Sequence, residues 1–190
     1  MATILNADTV VGGAIVTADA SGVLTLQSAG TTAVTLDSGN TAIAQKLTAV
    51  GTASVAGLKI ADVLETATIS ATAATGTITY DVTTQAVLYY TSNASANWTV
   101  NFRGSSGTSL NTLMATGESV TVAFFVTQGA TAYYNSAVQV DGTTSGVTTR
   151  WLGGAPTAGN ASGIDSYRYL IIKTGSATFT VLASNTQFKA

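Results

Sequence analysis

The sequence predicts an all-β protein: a short N-terminal β-repeat segment followed by an antiparallel β-sandwich or jelly-roll-like domain. Three observations lead there. Val, Ile and Thr recur in alternating apolar and polar positions, the period of a half-buried strand. Clusters of Gly, Asn, Asp and Ser interrupt these runs at short spacing, as turns do between many short strands. The 190 residues include a single proline, which with the abundant β-branched residues in alternation argues against disorder. Chain length allows one full domain, or a small domain with an appendage.

The N-terminal element is a repeat. Ser21-Gly22-Val23-Leu24-Thr25-Leu26-Gln27-Ser28-Ala29-Gly30 aligns in character with Thr31-Thr32-Ala33-Val34-Thr35-Leu36-Asp37-Ser38-Gly39-Asn40, and residues 11–20 form a weaker copy. Leu24 and Leu26 share one strand face, as do Val34 and Leu36. A unit this short cannot bury its own apolar face, so contact with other chains is the favoured reading. Two consecutive strands of an ordinary hairpin are the alternative. From Val50 to Glu65 a connector is expected, with a helical turn around residues 61–65.

Beyond Thr66 the pattern is strand-like to the end. Ile78, Tyr80 and Val82 alternate with Thr77, Thr79 and Asp81; Trp98, Val100 and Phe102 alternate with Thr99, Asn101 and Arg103. Val120, Val122, Phe124 and Val126 form the longest apolar face. Tyr167, Tyr169 and Ile171 oppose Arg168, Leu170 and Ile172, and Phe179 with Val181 supplies the last strand. Turn chemistry at residues 104–107, 141–142, 153–156, 159–160 and 175–176 separates the runs. The expected division lies near residue 60: 1–60 as a β-segment for attachment and oligomer contacts, and 61–190 as the globular β-domain.

Composition narrows the function. Charged residues make up 8% of the chain, against about 25% in an average soluble domain. No apolar run reaches the roughly 18 residues of a membrane span, so no membrane insertion is expected. The polar surface is instead made of hydroxyls and amides, which lose less than charges do when buried against a partner. Net charge is −2 and the seven Lys and Arg are spread singly, so no nucleic-acid partner is expected. No basic and apolar leader pattern opens the sequence, which fits synthesis in a bacterial cytoplasm without a signal peptide.

Catalytic chemistry is sparse. Without histidine or cysteine the usual zinc sites and Ser-His-Asp or Cys-His nucleophile systems are excluded, and no cofactor is expected. Only carboxylate chemistry remains, with Glu65 and Glu118 as the sole glutamates. Asp141 before Gly142 reads as a turn residue. An enzyme is not expected. The candidates for surface recognition are aromatic: Tyr89, Tyr90, Tyr133, Tyr134 and Trp151. If each Tyr pair lies in a strand, one ring of each faces outward, where it could stack on a sugar or anchor an interface. Core packing is the competing role for all five.

Both ends of the chain carry a resemblance. Ile4-Leu5-Asn6-Ala7-Asp8-Thr9 and residues 12–22, together with Val126-Thr127-Gln128-Gly129-Ala130-Thr131, Trp151-Leu152-Gly153-Gly154-Ala155-Pro156 and residues 167–173, resemble tail-fibre-like virion proteins of bacteriophages, marine ones especially. The resemblance implies a virion location, attachment to other virion proteins through the N-terminal segment, and a projecting C-terminal domain, usually in a homotrimer. This chain departs from long fibres in having almost no shaft. The expectation is a non-enzymatic virion structural protein: a short fibre, a tail or collar appendage, or a capsid decoration component. The alternative is a receptor-binding adhesin that recognises a host-surface glycan.

Overall fold

Alternating side chains fix which face of each strand is apolar, and hydrogen-bond pairing then decides which strands lie side by side. The structure is a computed structural model and describes residues 24–28, 31–36 and 63–189. The chain divides into two units, Met1–Ala61 and Asp62–Ala190.

In the first unit, β1 (Leu24–Ser28) and β2 (Thr31–Leu36) form an antiparallel hairpin that pairs Leu24 with Leu36 and Leu26 with Val34. The two copies of the repeat therefore pair with each other inside one chain, as in the hairpin alternative. The weaker copy at residues 11–20, the N-terminal stretch of the resemblance and most of the connector lie outside the described residues.

The second unit is all-β apart from one helical turn. Its strands are β3 (Ala67–Ala73), β4 (Gly76–Asp81), β5 (Val87–Ser92), β6 (Trp98–Arg103), β7 (Ser119–Thr127), β8 (Asn135–Val140), β9 (Val147–Trp151), β10 (Ile164–Gly175) and β11 (Thr178–Phe188). Among the described residues the one helix, α1 (Leu110–Leu113), lies between β6 and β7. Residues 63–66 are irregular, so the helical turn expected there is absent over those residues.

Six strands form one sheet in the order β3-β5-β7-β10-β11-β9, and three form another in the order β4-β6-β8. Within these two sheets the strands pair antiparallel only at β7-β10-β11; β3-β5, β5-β7, β4-β6, β6-β8 and β9-β11 are all parallel. This corrects the antiparallel expectation. Parallel neighbours need a crossover of about a dozen residues, commonly a helix. Here the crossover is a strand of the other sheet: β4 lies between β3 and β5 in sequence, β5 between β4 and β6, and β6 between β5 and β7.

Both sheets contribute to one core. Tyr80, Trp98, Val100 and Phe102 from the smaller sheet and Phe124, Tyr167, Tyr169 and Val181 from the larger are all at most 1% exposed and belong to one cluster. Tyr80 OH donates to the Ala123 carbonyl across the sheets at 3.3 Å. The helical turn is held from three sides. The Ser109 hydroxyl accepts from Thr112 N, and the Asp141 carboxylate accepts from Leu110 N at 2.6 Å and Asn111 N at 2.9 Å. Buried Lys173 donates through Nζ to the Met114 carbonyl at 2.8 Å, meeting an otherwise orphaned helix-end acceptor.

Candidate functional site

The outward face of the larger sheet collects apolar side chains because the register aligns them. Ala67 pairs with Val87, Ile69 with Tyr89, Tyr89 with Phe125 and Ile164 with Phe188. These residues, Phe125 included, line a groove of about 340 Å³. Tyr89 meets Phe125 edge-on with ring centroids 6.1 Å apart, and Phe125 meets Phe188 at 6.1 Å. The Arg168 guanidinium lies 5.7 Å from the Phe125 ring centre, a cation–π distance. Ile69 is 61% exposed and Phe188 57% exposed. Burying such a side chain fully is favourable by roughly 1.5–3 kcal/mol, so covering this groove would be favourable too.

The five sequence candidates separate. Tyr89 and Tyr90 occupy successive positions of β5 and face opposite ways, as a strand requires. Tyr89 lines the groove, while Tyr90 packs edge-on against Phe124 at 5.7 Å, and burial raises its hydroxyl pKa. Tyr133 and Tyr134 lie in the loop before β8, not in a strand, so the outward-facing expectation for that pair does not apply. Tyr133 is half-buried against the core, with its N–H donated to Gln128 Oε1, and Tyr134 N donates to Asn97 Oδ1. Trp151 ends β9 half-buried, its ring 6.2 Å from Tyr167 and 6.0 Å from Tyr169. Only Tyr89 takes part in the groove.

A second cleft, about 350 Å³ and polar, is lined by Asn101, Arg103, residues 105–109, Asp141 and Gly142. Arg103 is tied to Asp81 through Nε to Oδ1 at 2.6 Å and Nη2 to Oδ2 at 3.3 Å. The hydrogen bonds to that carboxylate raise the guanidinium pKa further. Asp141 and Gly142 both have positive φ, 52° and 81°, the signature of a two-residue turn of the primed type. The turn expectation for Asp141 therefore holds. Its carboxylate also caps α1, a role that needs a residue 30 positions away and leaves no local sign.

Other carboxylates are held by backbone or amide donors. Asp165 is fully buried and accepts from Gln128 Nε2 at 3.0 Å, Asn160 N at 3.2 Å and Asn160 Nδ2 at 2.7 Å. Glu118 Oε2 accepts from Ala115 N at 2.9 Å inside a tight turn. Among the described residues no three His, Cys, Asp or Glu side chains gather where a metal ion could be held.

Compared with known proteins, the chain matches no protein family, no curated protein and no solved structure. The geometry of the groove and the cleft is therefore what bears on function. Sequence reasoning missed Ile69, Phe125, Ile164 and Phe188, because their grouping depends on a strand order that crosses between sheets. A signal existed for Asp165. It shares strand parity with Tyr167, Tyr169 and Ile171, the face already expected to point inward.

Proposed function

We propose that this chain is a non-enzymatic structural protein of a bacteriophage particle: a short fibre, a tail or collar appendage, or a capsid decoration component. It assembles with copies of itself, as a trimer on the resemblance of its ends to tail-fibre-like proteins, and its N-terminal segment attaches to other virion proteins. The observation that carries this reading is the groove of Ile69, Tyr89, Phe125 and Phe188, an exposed apolar surface suited to protein contact. A non-catalytic role is supported by the way Asp81, Glu118, Asp141 and Asp165 are engaged by Arg, amide or backbone donors. Two sheets sharing one aromatic core support a sandwich-like architecture for the second unit. Immunogold labelling of phage particles with antibody to the full chain tests the reading. Labelled tails or heads support it and locate the protein; unlabelled particles contradict it.

The polar cleft favours a second reading, a glycan-binding adhesin. Arg103, Asn101 and the hydroxyls of Ser105, Ser106, Thr108 and Ser109 gather there, the donor and acceptor types that sugar hydroxyls require. Binding of the full chain to host-surface glycans, lost in Arg103→Ala, would support this reading. Absence of binding by the assembled protein removes it.

A further inference from the structure

Among the described residues, no strand covers the outer edge of β3, which flanks the groove. Val87 N donates to the Thr66 carbonyl, and Ala123 N to the Ala86 carbonyl. This parity turns the backbone groups of Thr66, Thr68 and Ser70 towards β5 and those of Ala67 and Ile69 away from it. Among the described residues β3 pairs only with β5, so these outward groups form an open edge. Protected edges carry charges, proline or a covering element. The β3 sequence Ala-Thr-Ile-Ser-Ala-Thr-Ala has no charge and no proline.

The geometry points to a second copy of this chain as the occupant: β3 pairs antiparallel with β3 of that copy about a twofold axis at Thr68. The inference rests on the proposed self-assembly and specifies its seam. With that register the outward groups of Ala67 and Ile69 meet those of the second copy's Ile69 and Ala67, so every outward donor and acceptor between them is paired. Ile69 and Ala67 also line the apolar groove, so the two grooves join into one face across the seam. A groove walled by apolar side chains fits this neighbour better than it fits a sugar, whose hydroxyls would lose partners.

Charge also permits it. The charge nearest the strand start is Glu65, which would face the second copy's Ala71. The two Glu65 residues then lie about 20 Å apart along the strands, beyond the roughly 8 Å screening length of physiological salt. Arg168 belongs to β10, three strands in from the edge. The seam joins copies in pairs, so it gives a dimer by itself and links two rings if a threefold contact exists as well.

The test uses the full chain, which has no cysteine of its own. Central residues of an antiparallel non-hydrogen-bonded pair stand about 4.5 Å apart, within disulfide range. Thr68→Cys should therefore form a covalent dimer on mild oxidation, whereas Thr121→Cys, exposed two strands inside the edge, should not. Ile69→Lys, at an exposed site that leaves the core intact, should halve the mass seen by light scattering while keeping the circular dichroism of the parent. An oligomer that neither cross-links at position 68 nor loses mass with Ile69→Lys overturns the seam and leaves self-assembly standing. A monomeric parent that stays uncross-linked at position 68 overturns both.

Discussion

Trp98 stands edge-on to Tyr167 across the two sheets, with ring centroids 5.6 Å apart and planes at 83°. Trp98 makes a second edge contact with Phe124 at 6.1 Å and is 1% exposed, so it is a main tie between the sheets of the second unit. Trp98→Ala should remove about 3–5 kcal/mol of stability, the usual range for truncating a buried aromatic. Denaturant unfolding would show it as a lower midpoint with an unchanged slope. A loss under about 1 kcal/mol would mean that the shared core does not hold the fold.

Two buried tyrosines should respond oppositely to loss of their hydroxyls. Tyr169 OH is buried and makes no hydrogen bond, whereas Tyr80 OH donates to the Ala123 carbonyl. Tyr169→Phe should be neutral or stabilising, and Tyr80→Phe should cost about 1 kcal/mol. Parallel thermal melts compare them; the reverse order contradicts this packing.

Alkaline pH should unfold the protein cooperatively. Burial raises the pKa of Tyr80, Tyr90, Tyr167 and Tyr169, with Glu65 adding to the effect at Tyr80 and Asp165 at Tyr167. Above about pH 10 the unfolded chain releases these protons and the folded chain keeps them, so the unfolded state binds fewer protons and stability falls as pH rises. Below that range the four phenols are neutral in both states and contribute no pH dependence. Phenolate absorbance should therefore include a late step that coincides with loss of circular dichroism. Full ionisation of every tyrosine while the fold persists would contradict the burial.

Asp165 joins the loop after β9 to the loop after β7 through Asn160 and Gln128. Asp165→Ala should cost about 2–4 kcal/mol by leaving buried N–H donors unpaired. Asp165→Asn should also destabilise, since its amide would place donors against donors. Limited proteolysis should then cut within residues 152–163 sooner than in the parent. Unchanged cleavage would show that the loop is held by other contacts.

The strand content of the second unit was legible where large residues alternate. Trp98, Val100 and Phe102 announce a buried face of β6, and Tyr167, Tyr169 and Ile171 one of β10. Strand direction was not. Alternation gives each strand two faces but carries no information on which neighbour it pairs with, and the short links that usually mean hairpins here carry the chain from one sheet to the other. The groove was hidden for the same reason. Of its aromatic rings only Tyr89 stood out locally, and its partners Phe125 and Phe188 come together through pairing between distant strands. For Tyr133 and Tyr134 the strand condition is not met, since Gln128 and Asn97 hold their backbone in a loop.

The proposed function requires the chain to assemble with itself. Light scattering after size exclusion, on the purified full-length protein, measures this most directly. Self-assembly predicts a stable species at a multiple of the 19.0 kDa chain mass. A species at 19.0 kDa that persists to the highest soluble concentration would contradict it.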